Sequence, residues 1–198
     1  MATPRTTWPG ERDSHRAARE PLVSVAQPAR GTYTHSATLT LKYVVSDGSG
    51  SGVRGSTPLI DGLALAGGHG LASGQSVNLL TALALGPHTF TVKQATDNLG
   101  NSRTARVPFT IIATGSSVEA DVAQFVRSGA FSSATWGDRV VALLREAARA
   151  RTAGQCSATN DAYRVVGREV VTHAGGWITS AAGTILNTDL QYVIAHCS

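Results

Sequence analysis

The sequence predicts two modules of opposite class, an all-β sandwich over residues 21–115 and a small all-α antiparallel helical bundle over residues 116–198. Three observations carry that reading. Apolar residues alternate with a period of two through the first stretch, and turn-forming residues interrupt the alternation again and again. Beyond residue 115 the apolar period lengthens to that of a helix. The two cysteines, Cys156 and Cys197, then bracket the last two predicted helices.

The β pattern begins with Leu22, Val23 and Val25, ahead of Pro28. Leu39, Leu41, Tyr43 and Val45 then alternate with Thr38, Thr40, Lys42 and Val44, a half-buried strand rich in β-branched and aromatic residues. The Gly/Ser run over 47–52 breaks it as a turn does. Leu59, Leu63 and Leu65 follow, and then Val77, Leu79 and Leu80, separated by Asp61-Gly62 and Gly67-Gly68. Phe90 and Val92 lead to the turn Asp97-Asn98-Leu99-Gly100-Asn101 and a last strand with Val107, Phe109 and Ile111. Short strands with regular turn signals make a sandwich.

In the second stretch, Ser116 to Glu119 reads as a capping box for a helix with Val118, Val122, Phe125 and Val126 on its apolar stripe, ended by Gly129. A second helix over about 133–151 buries Trp136, Val140, Leu143, Leu144 and Ala147. Ser157 or Thr159 caps a third helix, whose inward residues are Ala162, Val165, Val166 and Val170 and which stops at Gly175-Gly176. Thr179 caps a fourth, carrying Ala182, Ile185, Leu186, Val193 and Ile194. Amphipathic helices joined by short links pack as antiparallel neighbours.

The last two helices have about seventeen residues each and therefore run about 25 Å. Antiparallel packing returns the end of the fourth helix to the start of the third, which puts Cys156 and Cys197 within disulfide reach. A pair so placed fits an oxidising compartment better than a cytosol. The alternative is two unrelated thiols at buried helix ends.

Composition narrows the function classes. Apolar residues at 42% are enough for real cores, and no run of apolar residues is long enough to span a membrane. The net charge of +4 divides into +1 over residues 1–20, +3 over 21–115, and seven Arg against seven acids over 116–198. That is no basic stripe of the kind that tracks nucleic acid, so nucleic acid is excluded as a partner. Basic residues are nearly all Arg, and with the abundance of Ala and Gly they suggest a GC-rich, actinobacterial genome. Residues 1–20 hold four Arg and no apolar core, so they are expected to be disordered and are not a signal peptide. The exported character of the rest points to an extracellular or cell-surface location, as the C-terminal part of a larger exported protein or with a misassigned start.

Two stretches resemble known families. Tyr43-Val44-Val45-Ser46-Asp47, Ser51-Gly52-Val53, Ile60-Asp61-Gly62, Gly86-Pro87-His88-Thr89-Phe90-Thr91-Val92 and Thr96-Asp97-Asn98-Leu99-Gly100-Asn101 together resemble the bacterial immunoglobulin-like repeats of secreted glycosidases and surface proteins. The resemblance covers nearly all of 21–115 and implies an immunoglobulin-like sandwich. Lys93-Gln94 is one residue longer than the pattern before Ala95, an excess that a β-bulge absorbs. Phe125-Val126-Arg127-Ser128-Gly129-Ala130-Phe131, Leu143-Leu144, Trp177 to Ala182 and Leu190 to Ile194 are similar in order and spacing to the C-terminal helical domain called FIMAH. That similarity spans about 117–196 and implies no catalytic role. Together the two resemblances imply a spacer and cap beside a catalytic domain or neighbouring protein.

Candidate sites are few. Gly50-x-Gly52-x-x-Gly55 has the dinucleotide spacing, but Pro58 and a β pattern follow it, with no helix to hold a pyrophosphate. Asp47, Asp61 and Asp97 sit in turns and offer hard oxygens to a structural calcium ion, although turn aspartates commonly bond their own backbone. No other cofactor is expected. The six histidines are scattered, and His173 and His196 fall near helix C-termini. Nucleophile-elbow, zincin, Walker and Cys-x-x-Cys signatures are absent, so the chain is not expected to be an enzyme. Trp177, between the third and fourth helices, is the candidate platform for a sugar ring; the competing role is a staple onto the fourth helix. The expectation is thus a non-catalytic accessory region, with two alternatives. One is a module binding polysaccharide or cell-wall polymer, and the other is a small hydrolase fragment built on the turn aspartates.

Overall fold

A computed structural model describes residues 20–48 and 50–197. All but the last residue of the segment expected to be disordered lies outside the described residues. The elements in chain order are β1 (Leu22–Gln27), β2 (Thr32–Thr34), β3 (Thr38–Thr40), β4 (Lys42–Ser46), β5 (Val53–Ile60), β6 (Leu65–Ala66), β7 (His69–Gly70), β8 (Ser76–Asn78), α1 (Leu79–Ala82), β9 (Gly86–Asp97), β10 (Ser102–Ile112), α2 (Gly115–Arg127), α3 (Ala134–Thr152), α4 (Cys156–Thr172) and α5 (Ser180–Ala195). Strands in open sheets therefore precede four long helices, with one short helix among the strands. The hydrogen-bonded orders are β1–β4, β2–β10–β9–β5, β3–β8 and β6–β7.

The chain forms two compact units that do not follow its order. The first joins the segment ending at Ala29 to Thr40–Gln75 and Thr89–Pro108; the second joins Arg30–Leu39 and Ser76–His88 to Phe109–Ser198.

In the first unit, β1 and β4 pair antiparallel, Val23 against Val45 and Val25 against Tyr43. Their exposure alternates along the strands as the period-two pattern requires. Strand β5 pairs antiparallel with β9, and its register slips between Thr57, opposite Lys93, and Gly55, opposite Thr96. The extra residue on β9 falls beside Gln94, whose φ of 50° is left-handed. This is a β-bulge at the place where the sequence runs one residue long. Leu41, Ile60, Leu71, Phe90, Val92 and Ala95 are buried in this unit, with the Tyr43 and Phe90 rings 5.6 Å apart. The alternating run over 38–45 is two strands rather than one, since Leu41 between β3 and β4 bonds Gln75 and Gly74 through its backbone. Gly55 lies within β5, so a strand and not a helix follows the glycine-rich loop.

The second unit is built on the helices. Helix α2 starts earlier than the Ser116 capping box predicts. Thr114 is the N-cap, its hydroxyl accepting from Ser117 N at 3.1 Å while Ser117 Oγ accepts from Thr114 N at 2.8 Å. A serine at the third helical position thus completes the box that Glu119 was expected to close. Gly129, just past the C-cap Ser128, has the positive φ of 74° that a helix stop of this kind needs. Thr179 caps α5 through a bond from Ala182 N, as its position in the sequence predicts. Helix α4 starts at Cys156, with Gln155 rather than Ser157 or Thr159 as its cap. Val165, read as inward, is exposed on it. Helix α3 packs against α2 and α4, and α5 packs against α4 and α2. Gly137 lets α3 approach α2 so closely that a β-carbon there would collide with Val126. The shared core includes Val122, Phe125, Leu144, Val166, Leu186 and Leu190, and takes in Leu80 from α1.

Cys156 and Cys197 form a disulfide, with Cα atoms 5.8 Å apart across a separation of 41 residues. It ties the start of α4 to the end of α5, the junction that the helix lengths predict. Closing a loop of this length removes unfolded-state entropy worth about 4 kcal/mol. Replacing both cysteines by serine should therefore lower unfolding free energy by about 3–4 kcal/mol in urea titrations. A change below about 1 kcal/mol would show that the bond is dispensable.

Candidate functional site

The sequence-predicted carboxylates are each engaged by local donors. Asp97 is 2% exposed; its Oδ1 accepts from Leu99 N at 2.9 Å and Asn101 N at 2.8 Å, and its Oδ2 accepts from Asn101 Nδ2 at 2.8 Å. The Asn101 side chain holds its carboxyl below the usual range against the opposing effect of burial, with backbone N–H groups adding to the pull. Asp47 Oδ2 accepts from Gly52 N at 2.9 Å, and Asp61 Oδ1 accepts from Thr89 N at 2.8 Å. Oxygens turned inward onto N–H groups face away from a cation. Among the described residues, no group of three His, Cys, Asp or Glu side chains is arranged to hold a metal.

Trp177 is half-buried and stacked. Its ring lies 3.4 Å from Trp136 with planes 8° apart, and 3.2 Å from His173 with planes 14° apart. Two rings that close and that parallel would overlap on one face, so they take opposite faces of Trp177. Arg139 stands 6.0 Å from both indoles and pairs with Glu169 at 3.6 Å. The cavity beside this stack measures about 20 Å³, room for a water molecule and not for a sugar ring. Neither face of the indole is left free to stack on a ligand.

The strongest chemical constellation is one that the sequence reading did not single out. His35, Asp121 and Asp189 are 3%, 0% and 0% exposed, and all lie in the second unit. His35 Nδ1 lies 2.7 Å from Asp189 Oδ1, and His35 Nε2 lies 2.9 Å from the Leu83 carbonyl oxygen. A carbonyl only accepts, so Nε2 carries a proton; a carboxylate at Nδ1 calls for a second. With an ionised carboxyl at Nδ1 and a carbonyl at Nε2, both ring nitrogens donate and the ring is an imidazolium. Burial alone pulls the His35 pKa down, but the bond and charge of Asp189, the Leu83 carbonyl and the charge of Asp121 lift it above its ordinary 6.5.

Asp121 completes the group. No N–H or hydroxyl reaches either of its oxygens or Asp189 Oδ2 among the described residues. Burial, the charge of Asp189 and a hydrogen bond to it push Asp121 up to about 8, against the pull of His35. Asp121 therefore keeps its proton at neutral pH and shares the buried site with the His35–Asp189 pair. Such sharing makes burial of three ionisable groups tolerable.

The sequence holds a signal for this cluster. Asp121 falls on the apolar stripe of α2 between Val118 and Phe125, and Asp189 falls on that of α5 between Leu186 and Val193. An acid at a core position of a helix needs a buried partner. The partner, His35, is 154 residues from Asp189, and no periodicity connects them.

Scans against protein-family models, curated proteins and solved structures find no match to this chain.

Both raised groups make stability depend on pH in the same direction. Asp121 is raised from 3.8 to about 8, so its contribution is complete below the unfolded value and is lost as pH rises through about 8. His35 is raised from 6.5, so its contribution is complete below that value and is lost as pH rises through the higher folded one. The melting temperature should therefore fall as pH climbs from mildly acidic to mildly alkaline. Asp121→Asn, whose amide can still donate to Asp189, should flatten that fall in pH-dependent calorimetry. An unchanged slope would remove Asp121 from the account.

Proposed function

We propose that this chain is a non-catalytic accessory region of an exported, actinobacterial multidomain protein such as a secreted hydrolase. In this reading residues 21–115 are an immunoglobulin-like sandwich that acts as a spacer, and residues 116–198 are a FIMAH-like four-helix domain that caps it. The natural partner is a catalytic domain or neighbouring protein beside it, outside the cell or at its surface. Antiparallel strand pairs with a bulge at the over-long segment support the first assignment, and four long amphipathic helices support the second. The disulfide supports an oxidising location, and no helix among the described residues is long and apolar enough to cross a membrane.

One observation supports the non-catalytic part: the turn aspartates and the buried His–Asp–Asp cluster are engaged by protein groups. The turn aspartates hold backbone N–H groups, and the one His–Asp–Asp cluster is closed to solvent. A general acid or base must reach a substrate proton, and these reach only protein. The stacked faces of Trp177 weigh against a sugar-binding platform in the same way.

Retention on neutral polysaccharides tests the spacer reading against the binding module. The intact chain and its Trp177→Ala variant should both pass unretained over insoluble and soluble neutral glycans. Retention of the unaltered chain that the substitution abolishes would establish a carbohydrate-binding module instead.

A further inference from the structure

A cavity of about 600 Å³ opens in the second unit where α2 begins, within the range of small-ligand sites. Its lining includes Thr114, Gly115, Ser116, Arg151, Tyr163 and His196. The capping box occupies Ser117 N–H, which leaves the N–H groups of Gly115 and Ser116, at the positive end of a thirteen-residue helix, without partners among the described residues. Arg151 has no carboxylate partner among the described residues and presents its charge to the same space. Glu119, the nearest acid acting on this region, is drawn to Arg145 at 3.6 Å.

Tyr163 supplies an independent observation. The residue is 1% exposed, and its hydroxyl makes no hydrogen bond of good geometry among the described residues, with the Arg151 guanidinium the one donor acting on it. That hydroxyl rests against the first residue of α2, 2.5 Å from where a β-carbon at Gly115 would stand. A buried hydroxyl left unbonded costs stability, and a side chain kept at that cost beside unpaired N–H groups points to a missing acceptor. The ends of α3 and α5 also reach the cavity, through Thr152 and through Tyr192 with His196 stacked on it at 4.0 Å. Their terminal carbonyls Ala148 to Arg151 and Tyr192 already accept hydrogen bonds within the chain, which leaves the Thr152, Tyr192 and His196 side chains as the polar groups on that side.

We propose that this cavity binds a small anion that also carries hydroxyl groups, its carboxylate or phosphate at the α2 N-terminus and its hydroxyls toward the side chains of Thr152, Tyr192 and His196. Gly115 N, Ser116 N, the Tyr163 hydroxyl and the Arg151 guanidinium receive the anionic group. The aliphatic wall of Ile112, Ala148 and Val193 covers the ligand's carbon skeleton. The site is independent of the spacer reading, because it needs neither a sugar platform nor a catalytic group. Two sources share this chemistry, uronic acids and polyol phosphates.

Calorimetric titration of the full chain with glucuronate and with glycerol 1-phosphate separates the two sources, with glucose and glycerol as neutral counterparts. One anion should bind at millimolar concentration or below, while its neutral counterpart does not. Arg151→Gln should weaken that binding about tenfold through loss of a charged hydrogen bond. Tyr163→Phe should weaken it with little effect on the melting temperature of the ligand-free chain, since the hydroxyl it removes makes no well-formed hydrogen bond there. Failure of both anions to bind, equal binding of the neutral counterparts, or binding that neither substitution weakens would each overturn the proposal.

Discussion

The second unit is organised around a buried proton-sharing group of three side chains. A lone imidazolium or carboxylate inside a protein costs several kcal/mol, about the whole net stability of a small domain. His35, Asp189 and Asp121 offset that cost together: a short His35–Asp189 bond, a proton that Asp121 retains, and a carbonyl for the remaining ring nitrogen. That requirement fixes the geometry of four segments at once. The loop after β2 brings His35, the end of α1 brings Leu83, and α2 and α5 each bring one acid. A second polar link runs parallel to it, with Gln124 donating to the Ser36 carbonyl at 2.6 Å and accepting from Asn78 at 3.1 Å. These bonds explain why residues 30–39 and 76–88 belong to the same compact unit as the helices.

The same arrangement bears on function. A histidine beside two aspartates is a familiar start for acid–base catalysis, yet here all three side chains are buried. The aromatic cluster between α3 and the loop after α4 follows the same logic, with Trp136 and His173 stacked on Trp177. Polar groups that hold a fold and polar groups that meet a ligand are separate in this chain. The proposed ligand-binding groups lie at the start of α2, where two N–H groups have no partner and a buried hydroxyl has no well-formed hydrogen bond among the described residues.

Much of this was legible in the sequence because it rests on local chemistry. The Cys156–Cys197 bond followed from helix lengths, the Thr179 cap from residue type, the Gly129 stop from backbone freedom, and the bulge beside Gln94 from one surplus residue. The start of α2 was misplaced because two adjacent serines and a threonine offer competing caps, and only packing decides among them. The run over 38–45 read as one strand because alternation is unbroken there; the pairing of Leu41 with Gln75 that divides it is long-range. His35 was invisible as a core residue, since a histidine in a turn-rich stretch carries no pattern that announces a partner 154 residues away. Asp121 and Asp189 carried half of the signal, as acids on apolar stripes, and the missing half was the base.

The central claim is that His35 is locked as an imidazolium between Asp189 and the Leu83 carbonyl. Nitrogen chemical shifts of its ring in the intact chain test this directly. Both ring nitrogens should appear protonated at neutral pH, with the proton lost only above the ordinary value of 6.5. A ring with one bare nitrogen at neutral pH, titrating near that ordinary value, would contradict the buried charge arrangement on which the account of the second unit depends.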